Sequence, residues 1–279
     1  MKQKFLRLWA TRARQVHIEE VTYHSDGLKV KGFLLYPKKR KEKLPCIIYN
    51  RGGNGDFGDL YPGQVYRIMA WLASQGYVVV GSRYRGNGGG EGREDYGGRD
   101  LYDILNLVPV LESLPFADVR RLGMVGASRG GMMTYLALKK LKNIKAAVVI
   151  AGSADLVRQR QTRPAMEKNV FRKYIRERGP AYLRALKQRS AVYWPAKLAP
   201  KTPLLLQHGT ADWRVEPDDS IRMAQALIKL RRPVRLSLYE GADHSLDEVL
   251  DESRDELLEW LDRFVKRGEK LPNSKPHGW

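Results

Sequence analysis

A serine flanked by glycines, at the junction of a strand-like and a helix-like run, constrains this 279-residue chain more than any other feature. Val119 to Val125 is a short apolar-rich run of strand length, and Gly126-Ala127-Ser128-Arg129-Gly130 follows directly. Met132, Met133, Leu136 and Leu138 then recur at helical spacings. A GxSxG pentapeptide between a strand and a helix reads as a nucleophile elbow, in which Gly126 and Gly130 leave room for a turn too tight for a Cβ. Ser128 is then expected in a strained backbone conformation, its hydroxyl above the sheet, with the free N–H groups of the following helix aimed at any oxyanion formed there. The competing reading is a glycine-rich turn whose serine only caps a helix. The flanking patterns favour the nucleophile.

The rest of the chain alternates. Val16 to Tyr23 and Leu28 to Tyr36 are strand-like runs joined by Ser25-Asp26-Gly27, a hairpin signal, so the sheet is expected to begin antiparallel. Leu44 to Asn50 reads as a buried strand leading into Arg51-Gly52-Gly53-Asn54-Gly55. A helix over Tyr61 to Gln75, a strand over Gly76 to Arg83 and a glycine-rich loop over Gly86 to Gly92 follow. Asp100 to Leu114 suits a helix that Pro109 must kink or end. Beyond the elbow come a helix to Lys142, strands at Lys145 to Ala151 and Pro203 to His208, a helix at Pro217 to Leu230, a strand at Val234 to Tyr239 and a last helix to Lys266. Repeated β-then-α units imply an α/β fold: a mostly parallel central sheet with an N-terminal antiparallel hairpin, helices on both faces, and functional residues at the carboxyl ends of strands. One domain over 1–279 is expected, with 268–279 as a tail.

One stretch interrupts this order. Residues 152–200 form a helical cap insertion beside the elbow, with two helices expected around Met166 to Arg178 and Pro180 to Arg189. Ser153 to Lys197 holds 12 Lys and Arg against 3 Asp and Glu, a local charge of +9. A solvated outer face is the simpler explanation, and a substrate-facing basic lining the sharper one. For the second, Arg158, Arg160 and Arg163 are the candidates, because they come just after the strand ending at Ala151.

Composition sets the outer bounds. Hydrophobic and charged shares of 43% and 29% are those of a globular chain, and no stretch approaches the ~20 apolar residues of a membrane span. Met1 to Arg14 has a Phe5-Leu6-Leu8-Trp9 cluster but not the ~7–15 residue apolar core of an export signal, so a cytoplasmic location is expected. The single cysteine, Cys46, excludes an internal disulfide and reads as a small core residue. A net charge of +19 would attract nucleic acid, an anionic membrane surface or an acidic substrate. No zinc spacing, RNA-binding signature or aromatic-basic alternation marks a dedicated nucleic-acid module. Gly86 to Gly92 lacks the Lys-Ser/Thr ending of a phosphate loop, no cluster suggests a metal, and no cofactor is expected.

A serine nucleophile needs a base to take its proton and an acid to hold that base in the right tautomer. Of five histidines, His17 lies in the first strand, His24 beside the hairpin turn and His277 in the tail. His208, ending an apolar strand, suits a structural role. His244, in the loop Gly241-Ala242-Asp243-His244-Ser245 before the last helix, is the better base. Asp212, four positions past His208, is the leading acid; Asp218, Asp219 and Asp243 compete, the first two at a helix start where the dipole explains a carboxylate. The order Ser, Asp, His is that of the α/β-hydrolase fold.

Between Val16 and Arg267 the chain resembles the catalytic domain of the prolyl oligopeptidase family of serine peptidases and its small esterase-like relatives. The resemblance rests on Tyr84-Arg85-Gly86, on Gly126-Ala127-Ser128-Arg129-Gly130-Gly131, on His208-Gly209-Thr210-Ala211-Asp212 and on Gly241-Ala242-Asp243-His244. It implies Ser128, Asp212 and His244 as the triad. Two residues depart from the family pattern. Arg129 stands where a Tyr usually follows the nucleophile, although its backbone N–H can still serve the oxyanion hole. Arg51 stands where His or Tyr often precedes the paired glycines Gly52 and Gly53; either its guanidinium replaces the hydroxyl donor or backbone N–H groups of the loop do that work. The resemblance implies a cofactor-free serine hydrolase acting on peptide or ester bonds of small-molecule or short-peptide substrates. Full-length members carry a propeller domain before the catalytic one, which about forty residues cannot form, so a propeller-less member is expected. A carboxylesterase and a catalytically silent binding protein of the same fold are the alternatives.

Overall fold

The structure, a computed structural model, describes residues 14–61, 63 and 65–278. The Phe5-Leu6-Leu8-Trp9 cluster, read above as no export signal, lies outside the described residues. Eight strands form one sheet: β1 (Val16–Ser25), β2 (Leu28–Pro37), β3 (Leu44–Asn50), β4 (Val78–Ser82), β5 (Ala117–Ala127), β6 (Ala146–Ile150), β7 (Leu204–Gly209) and β8 (Val234–Tyr239). Their spatial order is β1-β2-β4-β3-β5-β6-β7-β8. β1 pairs antiparallel with β2 and β2 antiparallel with β4, and from β4 to β8 every pairing is parallel. This is the α/β-hydrolase architecture that the alternation predicts. The hairpin turns on Asp26 and Gly27, with φ of 50° and 78°, the left-handed pair that a two-residue hairpin needs.

Helices cover both faces. α1 (Ala70–Ser74) follows a π-helical turn at Val65–Met69, within the longer helix expected from Tyr61; residues 62 and 64 are outside the described set. The expected helix over Asp100 to Leu114 is two pieces, α2 (Leu101–Leu105) and α3 (Leu107–Glu112), parted at Asn106. Pro109 explains the break, because its ring opposes the carbonyl four residues back, that of Leu105. α4 (Arg129–Lys140) is the elbow helix. In the cap insertion, α5 (Leu156–Thr162) precedes both expected helices, so two cap helices are a correction: irregular helical turns over 164–174 and α6 (Gly179–Arg189) follow it. The missed signal was Asp155, whose carboxylate accepts from the N–H groups of Val157 and Arg158 as an N-cap. α7 (Asp218–Lys229) and α8 (Leu250–Leu261) complete the chain.

Alternate strand residues feed two cores. Ile48, Val80 and Leu206 pack with α2, α3, α4 and α7 on one face, while Ile47, Val79 and Leu205 pack with α1 and α8 on the other. The strand period of two carries this separation to the carboxyl edge of β7, where Gln207 turns toward α8 and His208 toward α7. Among the described residues, no helix is long and apolar enough to cross a membrane.

Candidate active site

Ser128 sits at the end of β5 with φ 57° and ψ −122°, a conformation that an L-residue holds only under constraint from its surroundings. Those surroundings are glycines. A Cβ on Gly130 would lie 1.9 Å from the carbonyl oxygen of Asn50, and one on Gly126 2.2 Å from that of Gly130. The turn therefore closes only with hydrogen at both positions, and Ser128 is an elbow residue rather than an ordinary helix cap. Arg129 opens α4, so the helix itself supplies no acceptor for its N–H. Gly52 approaches from the β3 loop closely enough that a Cβ there would meet the Ala127 carbonyl at 3.0 Å and the Ser128 Cβ at 3.1 Å. Gly53 follows with φ 70°.

His244 Nδ1 lies 2.7 Å from Asp212 Oδ2. The same oxygen is 3.0 Å from His208 Nε2, while the other accepts from the N–H groups of Arg214 at 2.8 Å and Val215 at 3.0 Å. Burial alone would raise the Asp212 carboxyl pKa, but the hydrogen bonds from His208 and His244, the His244 charge and the Val215 N–H hold it well below the usual carboxylate range. His208 Nε2 faces a second acceptor, the Val215 carbonyl at 2.9 Å, and its Nδ1 meets Ser220 Oγ at 2.7 Å. With two acceptors before it, Nε2 is assigned the proton, and the Ser220 hydroxyl donates to Nδ1. His208 thus does more than close a sheet edge: it anchors the carboxylate that His244 also contacts.

The competing carboxylates are engaged elsewhere. Asp218 pairs with Arg158. Asp219 accepts from the N–H groups of Ala154 at 2.7 Å and Asp155 at 3.1 Å at the root of the cap; burial raises its pKa to about 6. Asp243 accepts from the backbone and hydroxyl of Ser245, both at 2.6 Å.

Both arginines that depart from the family pattern are buried. The Arg51 guanidinium donates to the carbonyls of Arg83, Gly52 and Gly55, engaging all three nitrogens. Four of its five N–H groups are thus held by nearby carbonyls, although Arg51 also stands in the cavity wall. Arg129 pairs with Glu94 and, at 2.6 Å, with Asp100; it donates to the Gly53 carbonyl at 2.9 Å and lies between the rings of Tyr84 and Tyr96 at 4.7 and 4.6 Å. Its side chain therefore braces the wall behind the elbow, linking the glycine loop of 86–100 to the loop after β3. Tyr84, from the Tyr84-Arg85-Gly86 motif, supplies one of the enclosing rings.

Ser128 and His244 stand in the wall of one cavity of about 470 Å³. Of the three cap arginines, only Arg163 lines it. Arg158 turns to Glu216 at 2.6 Å and to Asp218, and Arg160 is absent from the wall. Their expected substrate contact is corrected by α5, whose turn directs successive residues to different sides. Arg214 lines the cavity as well, in the loop that carries Asp212, and Trp213 and Phe57 stand 68% and 65% exposed at its mouth. Among the described residues no group of His, Cys, Asp and Glu is placed to hold a metal ion.

Residues 64–268 match the prolyl oligopeptidase family. The chain belongs to that family of serine peptidases. It is 30% identical over 242 residues to the uncharacterized peptidase YtmA of Bacillus subtilis, covering 85% of this chain and 90% of that one. It is 28% identical to dipeptidyl-peptidase 5 of Porphyromonas gingivalis, covering 87% of this chain but 37% of that protein. The acylaminoacyl peptidase of Pyrococcus horikoshii superposes with a TM-score of 0.78 at 24% identity, over 96% of this chain and 45% of that one. A dienelactone hydrolase of Klebsiella pneumoniae has the same fold, with a TM-score of 0.66 at 18% identity over 89% of this chain and 99% of that one. The chain thus spans under half of the longer prolyl oligopeptidase relatives and nearly all of the smaller proteins.

Proposed function

We propose that this member of the prolyl oligopeptidase family cleaves peptide or ester acyl bonds of small substrates through an acyl-enzyme on Ser128, with His244 as base and Asp212 as its orienter. The observation that carries the reading is the 2.7 Å contact of His244 Nδ1 with Asp212, in a cavity whose wall also includes Ser128 at a strained elbow. Asp212, kept anionic by its donors, holds the proton on His244 Nδ1 and leaves Nε2 free to accept one. Ser128 Oγ attacks the substrate carbonyl carbon as its proton passes to Nε2. The oxyanion of the tetrahedral intermediate is received by the Arg129 N–H and by the N–H groups of Gly52 and Gly53. Nε2 then protonates the leaving alcohol or amine, the C–O or C–N bond breaks, and water repeats the sequence to release the acid and restore Ser128.

Esters and amides share this chemistry, so both a peptidase and a carboxylesterase are served by the site. A silent binding protein is disfavoured by the pairing of His244 with Asp212, which a chain without catalysis has no reason to keep. For the acyl part, Arg163 supports an anionic group: it lines the cavity, where it donates to the Arg214 carbonyl and lies 5.1 Å from the Trp213 ring centre, with no carboxylate among the described residues in an ion pair with it.

The test is Asp212→Asn, assayed on a panel of esters and aminoacyl amides of graded size. The amide favours the wrong imidazole tautomer, so kcat should fall roughly 10⁴-fold while the fold and KM are kept. Wild-type kcat in this variant, with a large loss in Asp219→Asn instead, would assign the acid elsewhere.

A further inference from the structure

We propose that the part of the cavity between α1 and α8 receives the leaving group, and that it selects a neutral, apolar alcohol or amine. This rests on the acyl-enzyme reading above. The cavity straddles the carboxyl edge of the sheet, so its two walls come from different cores. On the cap side stand Tyr96, Gln159, Arg163, Met166 and Val215; Tyr96 belongs to the core shared with α4. On the other side stand Ile68, Trp71, Ile150, Leu246, Leu250 and Leu257, most of them packed with the core of α1 and α8.

His244 decides which half serves which part of the substrate. Its Nδ1 is turned to Asp212, so the ring presents Nε2 to the reacting bond, and the atom that leaves must take its proton there. The chain runs from His244 through Ser245 and Leu246 directly into the wall of the α1–α8 half. The leaving group, which must contact Nε2, therefore has this half before it, and the acyl part is left the cap half with its arginines.

Charge separates the halves in the same sense. On the cap side, Arg163 and Arg214 both reach the cavity. On the other, Arg67 pairs with Asp247 and donates to the Ser245 carbonyl at 3.1 Å, while the Arg254 guanidinium lies 5.1 Å from the Trp71 ring centre. The Arg67 charge is thus answered by Asp247, the Arg254 guanidinium lies against the Trp71 ring and donates to the Arg67 carbonyl, and the rest of the wall is largely aliphatic and indole surface that disfavours an ionised group. The half is also preformed. Gln207 Nε2, in the floor, is 2.9 Å from the Tyr239 hydroxyl, the Ser253 carbonyl and the Glu256 carboxylate, which fixes α8 against β7 and β8.

The test compares benzyl and methyl esters of one acyl group in the whole protein and in Leu250→Trp and Leu250→Ala. Leu250 is half-buried at the start of α8. Filling the half with Trp should lower the benzyl-to-methyl ratio of acylation kcat/KM about 10-fold or more, the discrimination that apolar pockets reach for a misfitted group. Enlarging it with Ala should move the preference from benzyl toward naphthylmethyl, which keeps the proposal testable if the Trp variant does not fold. Ratios that stay fixed in both variants would overturn it. So would an effect confined to deacylation, a step that begins after the leaving group has gone, because it would place this half on the acyl side. Failure of the underlying reading is told apart in the unsubstituted protein, where turnover of neither ester would depend on Ser128.

Discussion

Arg129 is 1% exposed, enclosed by Glu94, Asp100 and two tyrosine rings, whereas Arg158, on the first cap helix, is 36% exposed and pairs with Glu216 and Asp218 at the surface. Arg163, five residues further on, is half-buried, reaches the cavity and meets no carboxylate of its own among the described residues. These arginines carry the same charge but different work, and the partner decides which. The +9 of the cap counts cations without their partners, so it overstated what the cap offers a substrate.

The largest expected effect breaks the comparison at its buried end. Arg129→Met removes the cation and leaves Glu94 and Asp100 buried without it, a change that costs on the order of 3–5 kcal/mol. Urea unfolding measures it; a loss below about 1 kcal/mol would make Arg129 dispensable to the wall. Burial pushes both carboxyls up in pKa. At Glu94 the charges of Arg129 and Arg51, with bonds from Asn87 and Gly55, outweigh burial and lower it, whereas at Asp100 burial prevails. The stability that Glu94 lends is therefore present at neutral pH and is lost only as pH falls below the ordinary carboxylate range. Arg129→Met should flatten that acid limb.

Arg163→Gln comes next. An ester with a free carboxylate should lose about 10-fold in kcat/KM relative to its neutral isostere, the share of a charge-assisted hydrogen bond of about 1.5 kcal/mol. In the unsubstituted protein the preference should shrink as salt rises toward 1 M, where the Debye length is ~3 Å. Equal kcat/KM for the two esters at low salt would return Arg163 to the solvated surface. The smallest effect belongs to Arg158→Gln, which should leave that preference in place and change stability by at most about 1 kcal/mol, the range of exposed ion pairs. A loss of the preference in this variant, comparable to that of Arg163→Gln, would erase the distinction between the two.

What could be read in the sequence was whatever adjacent residues decide. The elbow follows from two glycines around Ser128, the hairpin from Asp26-Gly27, and the helix break from Pro109. The pairing of Asp212 with His244 was reachable from chain order and strand ends, because the parallel sheet brings its carboxyl edges together. The partners of Arg129 were not legible because Glu94 and Asp100 lie in a loop about thirty residues away that only the fold brings against the elbow. The Arg83 carbonyl that helps hold the Arg51 guanidinium is likewise absent from its sequence neighbourhood, since Arg83 comes from the end of the next strand. The second half of the cavity was beyond reach for another reason: Trp71 and Leu257 are far apart in the chain and meet only because α1 and α8 cover the same face. Their apolar periodicity announces a core and carries no sign that the core opens beside His244. His208 was a matter of degree, since its place at the end of β7 was clear but the carboxylate it shares with His244 was not.

The most direct measurement is labelling by a fluorophosphonate, located by peptide mapping, in the unsubstituted protein and in Ser128→Ala. An activated serine phosphonylates at useful rates where ordinary hydroxyls do not, so one adduct is expected, on Ser128, slowed severely by His244→Ala and absent from Ser128→Ala. An adduct that persists in Ser128→Ala, or an unsubstituted protein that takes up no label, would contradict the account.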